Sequence, residues 1–259
     1  MNLSIVTVCY NAAATIEATF QSVLEQDYID YEYIVIDGKS QDETPKLALQ
    51  YKEEFLKKGV HFQVVSEPDK GIYDAMNKAI RLAQGTWIYF LNADDSLYAK
   101  DTLSNVFSRK VVSDYDVIYG RVLKIKGATE EMRSHDPVDT IVRRLPFCHQ
   151  GAFTKTIHMK KELFDLQYTI CADYNFFLHI YLQGKQFLKI DTIIAKFSMN
   201  GLSSNHFYKM LKEGYRIRDK NGVLGWKEKL YANCYRLPVY WIYSQKKKWL
   251  TPKKNDTHK

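Results

Sequence analysis

Two adjacent carboxylates, Asp94 and Asp95, directly follow an apolar run at residues 87–91. Such a run is typical of a buried strand in an α/β protein, and the carboxylates then lie beyond its carboxyl end, where open α/β sheets bind ligands. Neighbouring negative charges repel each other, so both carboxylates stay ionised only if something compensates for their charge. A divalent cation with a bound diphosphate would do so, because hard cations prefer oxygen ligands. The pair therefore indicates a candidate cation site.

Three further polar clusters follow apolar runs earlier in the chain, at residues 7–11, 37–42 and 67–71. Parallel strands of one sheet end at the same edge, so these clusters and the Asp94-Asp95 pair are expected to line one crevice. A lone pair of aspartates is commonplace in loops. Four clusters that end four successive strands indicate a binding site much more strongly.

The elements that must position these clusters alternate between strand and helix. Apolar runs predict strands at residues 3–9, 33–36, 60–65 and 86–91. Apolar residues with a period of 3.6 predict helices at residues 12–26, 43–58 and 72–83. This alternation is typical of an α/β fold with a mostly parallel central sheet flanked by helices on both faces.

The pattern is looser after Asp95. It predicts helices at residues 103–112 and 172–182, strands at residues 116–125, 147–155 and 187–197, and a polar loop at residues 126–138. The segment from Phe207 onwards is predicted to be partly helical, and Pro238 is expected to kink or end its last helix.

Composition limits the class of protein. The 259 residues, 46% of them hydrophobic, suit one large α/β domain with an appended tail. Four scattered cysteines without paired spacing argue against a zinc site and a disulfide framework, and they fit a reducing compartment. No signal peptide and no apolar stretch long enough to span a bilayer are visible. We therefore expect a cytoplasmic protein, with peripheral contact at the inner face of the membrane as an option.

The positive charge is concentrated at one end. Residues 209–259 contain 14 Lys and Arg against 4 Asp and Glu, whereas the preceding residues contain 23 against 26. In this tail Lys246, Lys247, Lys248 and Trp249 follow Trp241, and basic and interfacial aromatic residues together favour contact with an anionic membrane surface. Nucleic acid is a less favoured partner, because no aromatic strand motif of the ribonucleoprotein type is present.

The combined motifs resemble those of family 2 glycosyltransferases with the GT-A fold, a type common in bacterial polysaccharide assembly. The resemblance covers about the first 204 residues, roughly four fifths of the chain. The residues that carry it are 6–11, 36–44, 69–78, 85–95, 148–150 and 172–174. One departure is Asn92, which stands where many members of the family carry a third aspartate before the pair.

The resemblance implies residues that bind a nucleoside diphosphate sugar, and UDP is favoured over GDP and dTDP. The implied donor-binding residues are Thr7, Tyr10, Asn11, Asp37, Lys70, Asn77 and Asp94. By resemblance Tyr10 stacks on the base and Asp37 accepts a hydrogen bond from it. Asp94 contacts the ribose or sugar, and Asp95 coordinates Mg²⁺ or Mn²⁺. For several of these residues the alternative role is structural: packing at a strand end, forming a turn or capping a helix.

The resemblance also implies an acceptor side. Asp173 matches the catalytic base, although its position at the start of a predicted helix is also that of a helix-capping aspartate. His149 and Gln150 are candidates for the acceptor pocket. His206, in a late loop at residues 201–206 that would close over the diphosphate, is a candidate phosphate or metal contact.

The resulting hypothesis is a metal-dependent, inverting glycosyltransferase that acts on a saccharide or lipid-linked saccharide acceptor in cell-surface polysaccharide synthesis. The expected domain is residues 1–205, with a donor half at about 1–98 and an acceptor half at 99–205. A basic, aromatic and helical tail follows at residues 206–259.

Two alternatives belong to other classes. A nucleotidyltransferase would normally show a glycine-rich loop with a basic residue after the first strand, where this chain has Asn11 and residues 12–14, all alanine. A noncatalytic nucleotide-sugar-binding protein is disfavoured by the intact Asp37, Asp94, Asp95 and Asp173.

Overall fold

The computed structural model describes residues 1–108, 110–127, 129–133, 135–198 and 206–242. The chain divides into two compact units, Met1–Gly201 and Leu202–Lys259. The expected boundary between residues 205 and 206 adjoins a segment outside the described residues. Also outside them lie residues 201–205 of the late loop and the basic residues 246–248 with Trp249.

The first half of the larger unit is a parallel sheet with helices between its strands. Its strands are β1 (Leu3–Cys9), β2 (Tyr31–Asp37), β3 (His61–Ser66) and β4 (Trp87–Phe90), and its helices are α1 (Ile16–Leu24), α2 (Thr44–Lys57) and α3 (Ile72–Leu82). The strand order is β3-β2-β1-β4, and all three pairings are parallel. Every residue of β1 and β2 is buried, as expected for strands covered on both faces. The predicted alternation of strand and helix is confirmed.

The second half continues the same sheet with mixed pairing. Its elements are β5 (Ser96–Leu97), α4 (Thr102–Phe107), β6 (Val117–Lys126), β7 (Thr129–Arg133), β8 (Ala152–Lys155), α5 (Thr156–Lys161), α6 (Ala172–Leu182) and β9 (Phe187–Ser198). The order beyond β4 is β8-β6-β9-β5, and β7 pairs with β6. β8 is antiparallel to both β4 and β6, whereas β6 and β9 are parallel.

Three predictions for this half need correction. The segment at residues 126–138 is not all loop, because β7 pairs with β6; its five residues are exposed, so no apolar alternation reveals it. The predicted strand at residues 147–155 begins only at Ala152, after a 3₁₀ turn at His149–Gly151. The predicted helix at residues 103–112 ends at Phe107 and is followed by a 3₁₀ turn, Lys110–Asp114.

Aromatic rings fix the helices onto one face of the parallel strands. Tyr33 on β2 meets Phe55 on α2 with 5.1 Å between ring centroids, and Phe55 stacks on Phe62 of β3 at 4.8 Å. Phe20 on α1 contacts both Tyr33 and Phe62 from the side. Each such pair contributes about 0.5–1.5 kcal/mol beyond the area it buries. This cluster holds α1 and α2 against β2 and β3.

Glu32 is a fully buried carboxylate at the opposite edge of the sheet. Its Oε1 atom accepts hydrogen bonds from Ser4 Oγ at 2.6 Å and from the backbone N–H groups of Gln84 and Gly85 at 2.5 and 3.2 Å. The loop between α3 and β4 is thereby tied to β1 and β2.

We expect Glu32→Ala to lower the free energy of unfolding by about 3 kcal/mol, because it leaves buried donors without their acceptor. In a protein of this size that corresponds to a melting temperature lower by roughly 10 °C, measured by calorimetry. Glu53→Ala, at an exposed position of α2, is the control and should change the free energy by less than about 0.5 kcal/mol. Equal melting temperatures for the two variants would contradict this account.

The second unit is helical where it is described. Its elements are α7 (Phe207–Lys220), α8 (Trp226–Tyr231), a π-helix (Ala232–Arg236) and further helical residues at 237–242. The helix does not end at Pro238, which corrects that option of the prediction. The irregularity lies in the π turn just before the proline, where a shift in backbone pairing accommodates the missing N–H. Among the described residues, none of the helices combines the length and apolar character needed to cross a membrane.

Candidate active site

Strands β1, β2 and β3 end side by side. Cys9 pairs with Asp37 in the sheet, and Asp37 pairs with Ser66, so the polar segments that follow start from one edge. The β4 strand lies on the other side of β1, with Phe90 opposite Val6, and Asn92 to Asp95 follow directly. The structure thus brings the four predicted clusters to one edge of the sheet.

Tyr10, Gly38 and Asp69 form a small cradle at this edge. A Cβ atom at Gly38 would meet Asp69 Oδ2 at 2.5 Å and the Tyr10 ring at 3.4 Å, so a larger residue there would displace the Asp69 carboxylate. The Tyr10 ring remains 63% exposed. An exposed ring at a strand end is available to stack on a planar ligand, and stacking of Tyr10 on the base stays a prediction.

Asp37 lies beneath this cradle and is completely buried. Its carboxylate accepts hydrogen bonds from the hydroxyl and the backbone N–H of Ser40, and from Ser66 Oγ at 2.5 Å. Both carboxylate oxygens therefore have partners within the protein. The predicted contact between Asp37 and a base would require one of these serine hydroxyl groups to move away from the carboxylate.

The loops after β1 and β2 are joined by Asn11. Its backbone N–H donates to Ser40 Oγ at 2.8 Å, and its side-chain oxygen accepts from the backbone N–H of Gln41 at 2.9 Å. Asn11 has a positive φ of 49°, which asparagine tolerates better than most residues. The structure thus gives Asn11 a loop-forming role, while its exposed position keeps it beside the predicted donor pocket.

The turn after β4 buries Asp95 and exposes Asp94. Thr19 on α1 holds this turn, since its hydroxyl donates to the backbone oxygen of Asp95 at 2.7 Å. Asp95 Oδ1 accepts from the backbone N–H of Ser198 at 3.2 Å. Asp95 Oδ2 and Asn92 Oδ1 are buried and have no hydrogen-bond partner among the described residues.

The surroundings of Asp95 disfavour its charged form. Burial, followed by the negative charge of Asp94, raises the pKa of Asp95 to about 7, although His149, the Ser198 N–H and Gln150 partly offset this. Asp94 keeps an exposed surface, but neighbouring atoms remove enough water from its carboxylate to raise its pKa as well. Two carboxylates with raised pKa values at one turn form a site that a positive charge would stabilise.

Two orphaned oxygens on this turn fit a hard cation. Asn92 Oδ1 and Asp95 Oδ2 offer oxygen ligands of the kind that Mg²⁺ and Mn²⁺ accept. Within the described ranges, no group of three or more His, Cys, Asp or Glu side chains is arranged to hold a metal ion. A cation here would therefore also need ligands from outside the protein, such as phosphate oxygens and water.

His149 connects this turn to Asp173. Its Nε2 atom lies 3.4 Å from Asn92 Nδ2, and its Nδ1 atom lies 3.4 Å from Asp173 Oδ2. With the amide in this orientation, the Asn92 N–H donates to Nε2, so the ring proton is on Nδ1 and points to Asp173. His149 was predicted to line an acceptor pocket, and the structure places it between the Asn92 amide and the Asp173 carboxylate.

Asp173 is held at the start of α6 by two further donors. The backbone N–H of Tyr174 donates to Asp173 Oδ1 at 2.8 Å, and the Tyr73 hydroxyl lies 3.0 Å from the same oxygen. Tyr73 also lies 2.7 Å from the backbone oxygen of Ile170, so its one proton is shared between two acceptors. Burial raises the pKa of Tyr73 well above its usual value, which keeps the proton on the hydroxyl. The Asp173 side chain stays 15% exposed.

Four other predicted site residues make no contact with Asp95, His149 or Asp173 among the contacts described above. Thr7 is fully buried, with its hydroxyl bonded to the Leu91 backbone oxygen and to the Tyr33 hydroxyl, so it does not face a ligand. Asn77 is also buried, and its amide exchanges two hydrogen bonds with the Phe164 backbone at 2.9 and 2.8 Å. We therefore leave both out of the proposed site. Lys70 is exposed beside Asp69, and His206 is exposed in the second unit.

Gln150 is buried next to His149, and its backbone oxygen accepts from the Tyr89 hydroxyl at 2.8 Å. Sequence reasoning assigned no role to Tyr73, Ser40, Ser66 or the side-chain oxygen of Asn92. Only one feature of the sequence pointed to Tyr73: it lies two residues after Gly71, within the motif at residues 69–78. For the serines no signal existed beyond their closeness to strand ends.

Comparison with known proteins identifies the family. Residues 4–183 match the family described as "Glycosyl transferase family 2". A "PGL/p-HBAD biosynthesis glycosyltransferase" from Mycobacterium bovis is 32% identical over 177 residues, which is 67% of each chain. The Escherichia coli protein "UDP-Glc:alpha-D-GlcNAc-diphosphoundecaprenol beta-1,3-glucosyltransferase WfgD" is 32% identical over 118 residues, which is 46% of this chain and 44% of that protein.

Solved structures show the same fold at low identity. S. aureus TarS 1-349 in complex with UDP superposes with a TM-score of 0.65 and 19% identity, and the match covers 84% of this chain and 65% of the TarS 1-349 chain. The mannosyltransferase PcManGT from Pyrobaculum calidifontis, in complex with GDP-Man and Mn²⁺, gives 0.66 and 19%, covering 96% of this chain and 76% of that one. The family match over residues 4–183 and the 32% identity to the mycobacterial relative show that the chain belongs to glycosyl transferase family 2.

Proposed function

We propose that this family 2 glycosyltransferase uses a divalent cation to transfer a sugar, with inversion, from a nucleoside diphosphate sugar to a hydroxyl group. The observation that carries the proposal is the chain of contacts Asn92–His149–Asp173, which links the turn that holds Asp95 to the start of α6. These residues come from three distant parts of the sequence.

The donor side comprises the cradle and the turn after β4. Tyr10 offers a ring for the base, Asp94 an exposed carboxylate for the ribose or sugar, and Lys70 a positive charge for a phosphate. Asn92 and Asp95 would hold Mg²⁺ or Mn²⁺ through their orphaned oxygens. A bound cation supplies Lewis-acid stabilisation of the charge that develops on the leaving diphosphate.

The acceptor side depends on Asp173. The acceptor oxygen attacks the anomeric carbon, the bond from that carbon to the diphosphate oxygen breaks, and the hydroxyl proton passes to Asp173. Attack opposite the leaving group inverts the configuration and requires no second carboxylate as a nucleophile. Tyr73, His149 and the Tyr174 N–H hold the Asp173 carboxylate in one orientation, which favours a productive approach of the hydroxyl group.

The names of relatives favour particular substrates. WfgD is named for UDP-Glc and for a diphosphoundecaprenol acceptor, and the TarS complex contains UDP, whereas PcManGT binds GDP-Man. We therefore favour UDP as the nucleotide and a saccharide on a lipid diphosphate as the acceptor, in cell-surface polysaccharide or glycolipid synthesis. Membership of the family argues against the nucleotidyltransferase and the noncatalytic protein, and the turnover experiment below tests both.

Thermal stability of the full chain with UDP, GDP or dTDP, each with and without Mn²⁺, tests the proposal. We expect one nucleotide, at about 100 times its dissociation constant, to stabilise the protein by about 2.7 kcal/mol only when Mn²⁺ is present. That gain raises the melting temperature by roughly 5–10 °C. UMP, which lacks the second phosphate, is the matched control ligand and should give a much smaller shift.

Turnover separates the alternatives. Release of UDP from a UDP-sugar in the presence of a polyprenyl-diphosphate saccharide supports glycosyl transfer. Release of pyrophosphate from a nucleoside triphosphate would instead identify a nucleotidyltransferase. If no nucleoside diphosphate bound with Mn²⁺, the assigned cation site would be wrong.

A further inference from the structure

The second unit contains a helical stretch, residues 226–242, with two different faces. One face consists of residues four apart: Glu228, Ala232, Arg236 and Tyr240. Glu228 pairs with Arg218 of α7 at 2.6 Å, the Arg236 guanidinium donates to the Tyr215 hydroxyl at 3.0 Å, and Tyr240 packs on Phe207 with 5.2 Å between centroids. This face of the stretch is therefore the one that packs against α7.

The other face exposes large apolar side chains. It consists of Trp226, Leu230, Tyr231, Tyr235, Val239 and Ile242, and we refer to it as the apolar face. Trp226 is 72% exposed. Scattered exposed apolar residues are normal, but these six lie within 17 positions of one helical stretch, and Trp241 of the same stretch is exposed as well. A cluster of this kind is typical of a surface that binds a partner or a membrane. The contacts to α7 fix which side of the stretch is presented.

Charge around the apolar face favours one kind of partner. Residues 209–259 contain 14 basic and 4 acidic residues, and Lys227 lies over the Trp226 ring at 5.4 Å. Tyrosine and tryptophan, which have an apolar body and a polar end, are typical of the boundary between lipid headgroups and acyl chains. A surface rich in anionic lipids complements such a unit, whereas a second copy carries the same positive charge and would repel it.

We propose that the apolar face lies in the headgroup region of an anionic lipid membrane. Its aromatic and aliphatic side chains insert into the boundary with the acyl chains, while the lysines and arginines of the same unit meet the lipid phosphates. The proposal deepens the proposed function, because it names the surface that would carry a lipid-linked acceptor. A catalytic unit linked to a membrane-bound unit meets such an acceptor at a raised effective concentration.

Vesicle co-sedimentation of the full chain tests the proposal without any substrate. We expect the wild type to bind vesicles of phosphatidylcholine and phosphatidylglycerol, to bind vesicles of phosphatidylcholine alone much less, and to be released by added salt. The triple variant Leu230→Ser, Val239→Ser, Ile242→Ser should bind the anionic vesicles at least about tenfold more weakly, since each serine removes buried apolar area.

The matched control is Ile29→Ser, Leu49→Ser, Ile157→Ser, three exposed aliphatic residues of the first unit, and it should bind as the wild type does. Melting temperatures of both variants show whether they fold. Unchanged vesicle binding by the apolar-face variant, or equal binding by the wild type to both kinds of vesicle, would overturn the proposal. So would wild-type dimers that the apolar-face substitutions dissociate, which would identify the face as an interface between copies. Nucleotide binding with Mn²⁺ is measured separately, so a failure of the catalytic proposal leaves the vesicle result intact.

Discussion

Asp173→Asn is expected to reduce sugar transfer by about 10²–10⁴-fold while leaving binding of the nucleoside diphosphate unchanged. Asparagine has the same shape and can still accept the hydrogen bond from the Tyr174 backbone N–H. It cannot take up the proton of the acceptor hydroxyl. The loss should therefore fall on kcat, and the Mn²⁺-dependent affinity for the nucleotide, measured by calorimetry, should equal that of the wild type.

Asp191→Asn provides the matched control for this variant. Asp191 is an aspartate with an 86% exposed side chain at the surface of β9, and its substitution should change neither quantity. Two results would count against the assigned base: transfer by the Asp173 variant at the wild-type rate, or a loss of nucleotide affinity as large as the loss of rate. The second result would show that Asp173 mainly holds the crevice in shape.

Asp95→Asn is expected to remove the Mn²⁺-dependent part of nucleotide binding and to make the metal-free protein less sensitive to pH. The first effect follows because the variant loses the negative charge that attracts the cation. A loss of at least about tenfold in nucleotide affinity with Mn²⁺, and little change without it, is the expected outcome in calorimetry.

The effect on stability has a definite sign. The pKa of Asp95 is about 7 in the folded protein, above its usual value near 4, so the folded state holds a proton that the unfolded state releases. In EDTA this contribution to stability is fully present below about pH 4 and is lost as pH rises to about 7, by at most about 1.4 kcal/mol per pH unit. Asparagine does not titrate.

Melting temperatures in EDTA at pH 5 and pH 8 therefore check the burial of Asp95. Between pH 5 and pH 8 the melting temperature of the Asp95 variant should rise relative to that of the wild type, whereas Asp191→Asn should have the wild-type melting temperature at both values. A constant difference between the Asp95 variant and the wild type would mean that Asp95 does not titrate in this range in the folded protein.

The edge of the sheet where the site lies was predictable, because buried parallel strands show themselves as continuous apolar runs. β1 and β2 are mostly apolar, with Ser4, Thr7 and Glu32 as exceptions, and the polar residues that follow Cys9 and Ile36 mark where the strands end. The closeness of Asp173 to this edge was not predictable from spacing. It arises because β8 inserts next to β4 and brings His149 with it, and long-range pairing of this kind leaves no local signal.

Thr7 and Asn77 show a second limit. Their side chains are of the right type and lie in the right motifs, yet both point into the protein. In a strand where every residue is buried, no alternation tells which side chain will meet a ligand. The amide of Asn77 is used by the Phe164 backbone, a partner supplied by a loop far along the chain. Side-chain direction and distant backbone partners both depend on tertiary structure.

The antiparallel ladder between β4 and β8 has a consequence for how substrates enter. It joins Trp87 to Lys155 and Tyr89 to Phe153, so the part of the chain that carries the cradle and the part that carries Asp173 share one uninterrupted sheet. A hinge that opened these two parts like the halves of a clam would have to break backbone hydrogen bonds in the core. Any opening of the crevice would therefore have to come from segments outside this sheet, while the sheet keeps the two parts together.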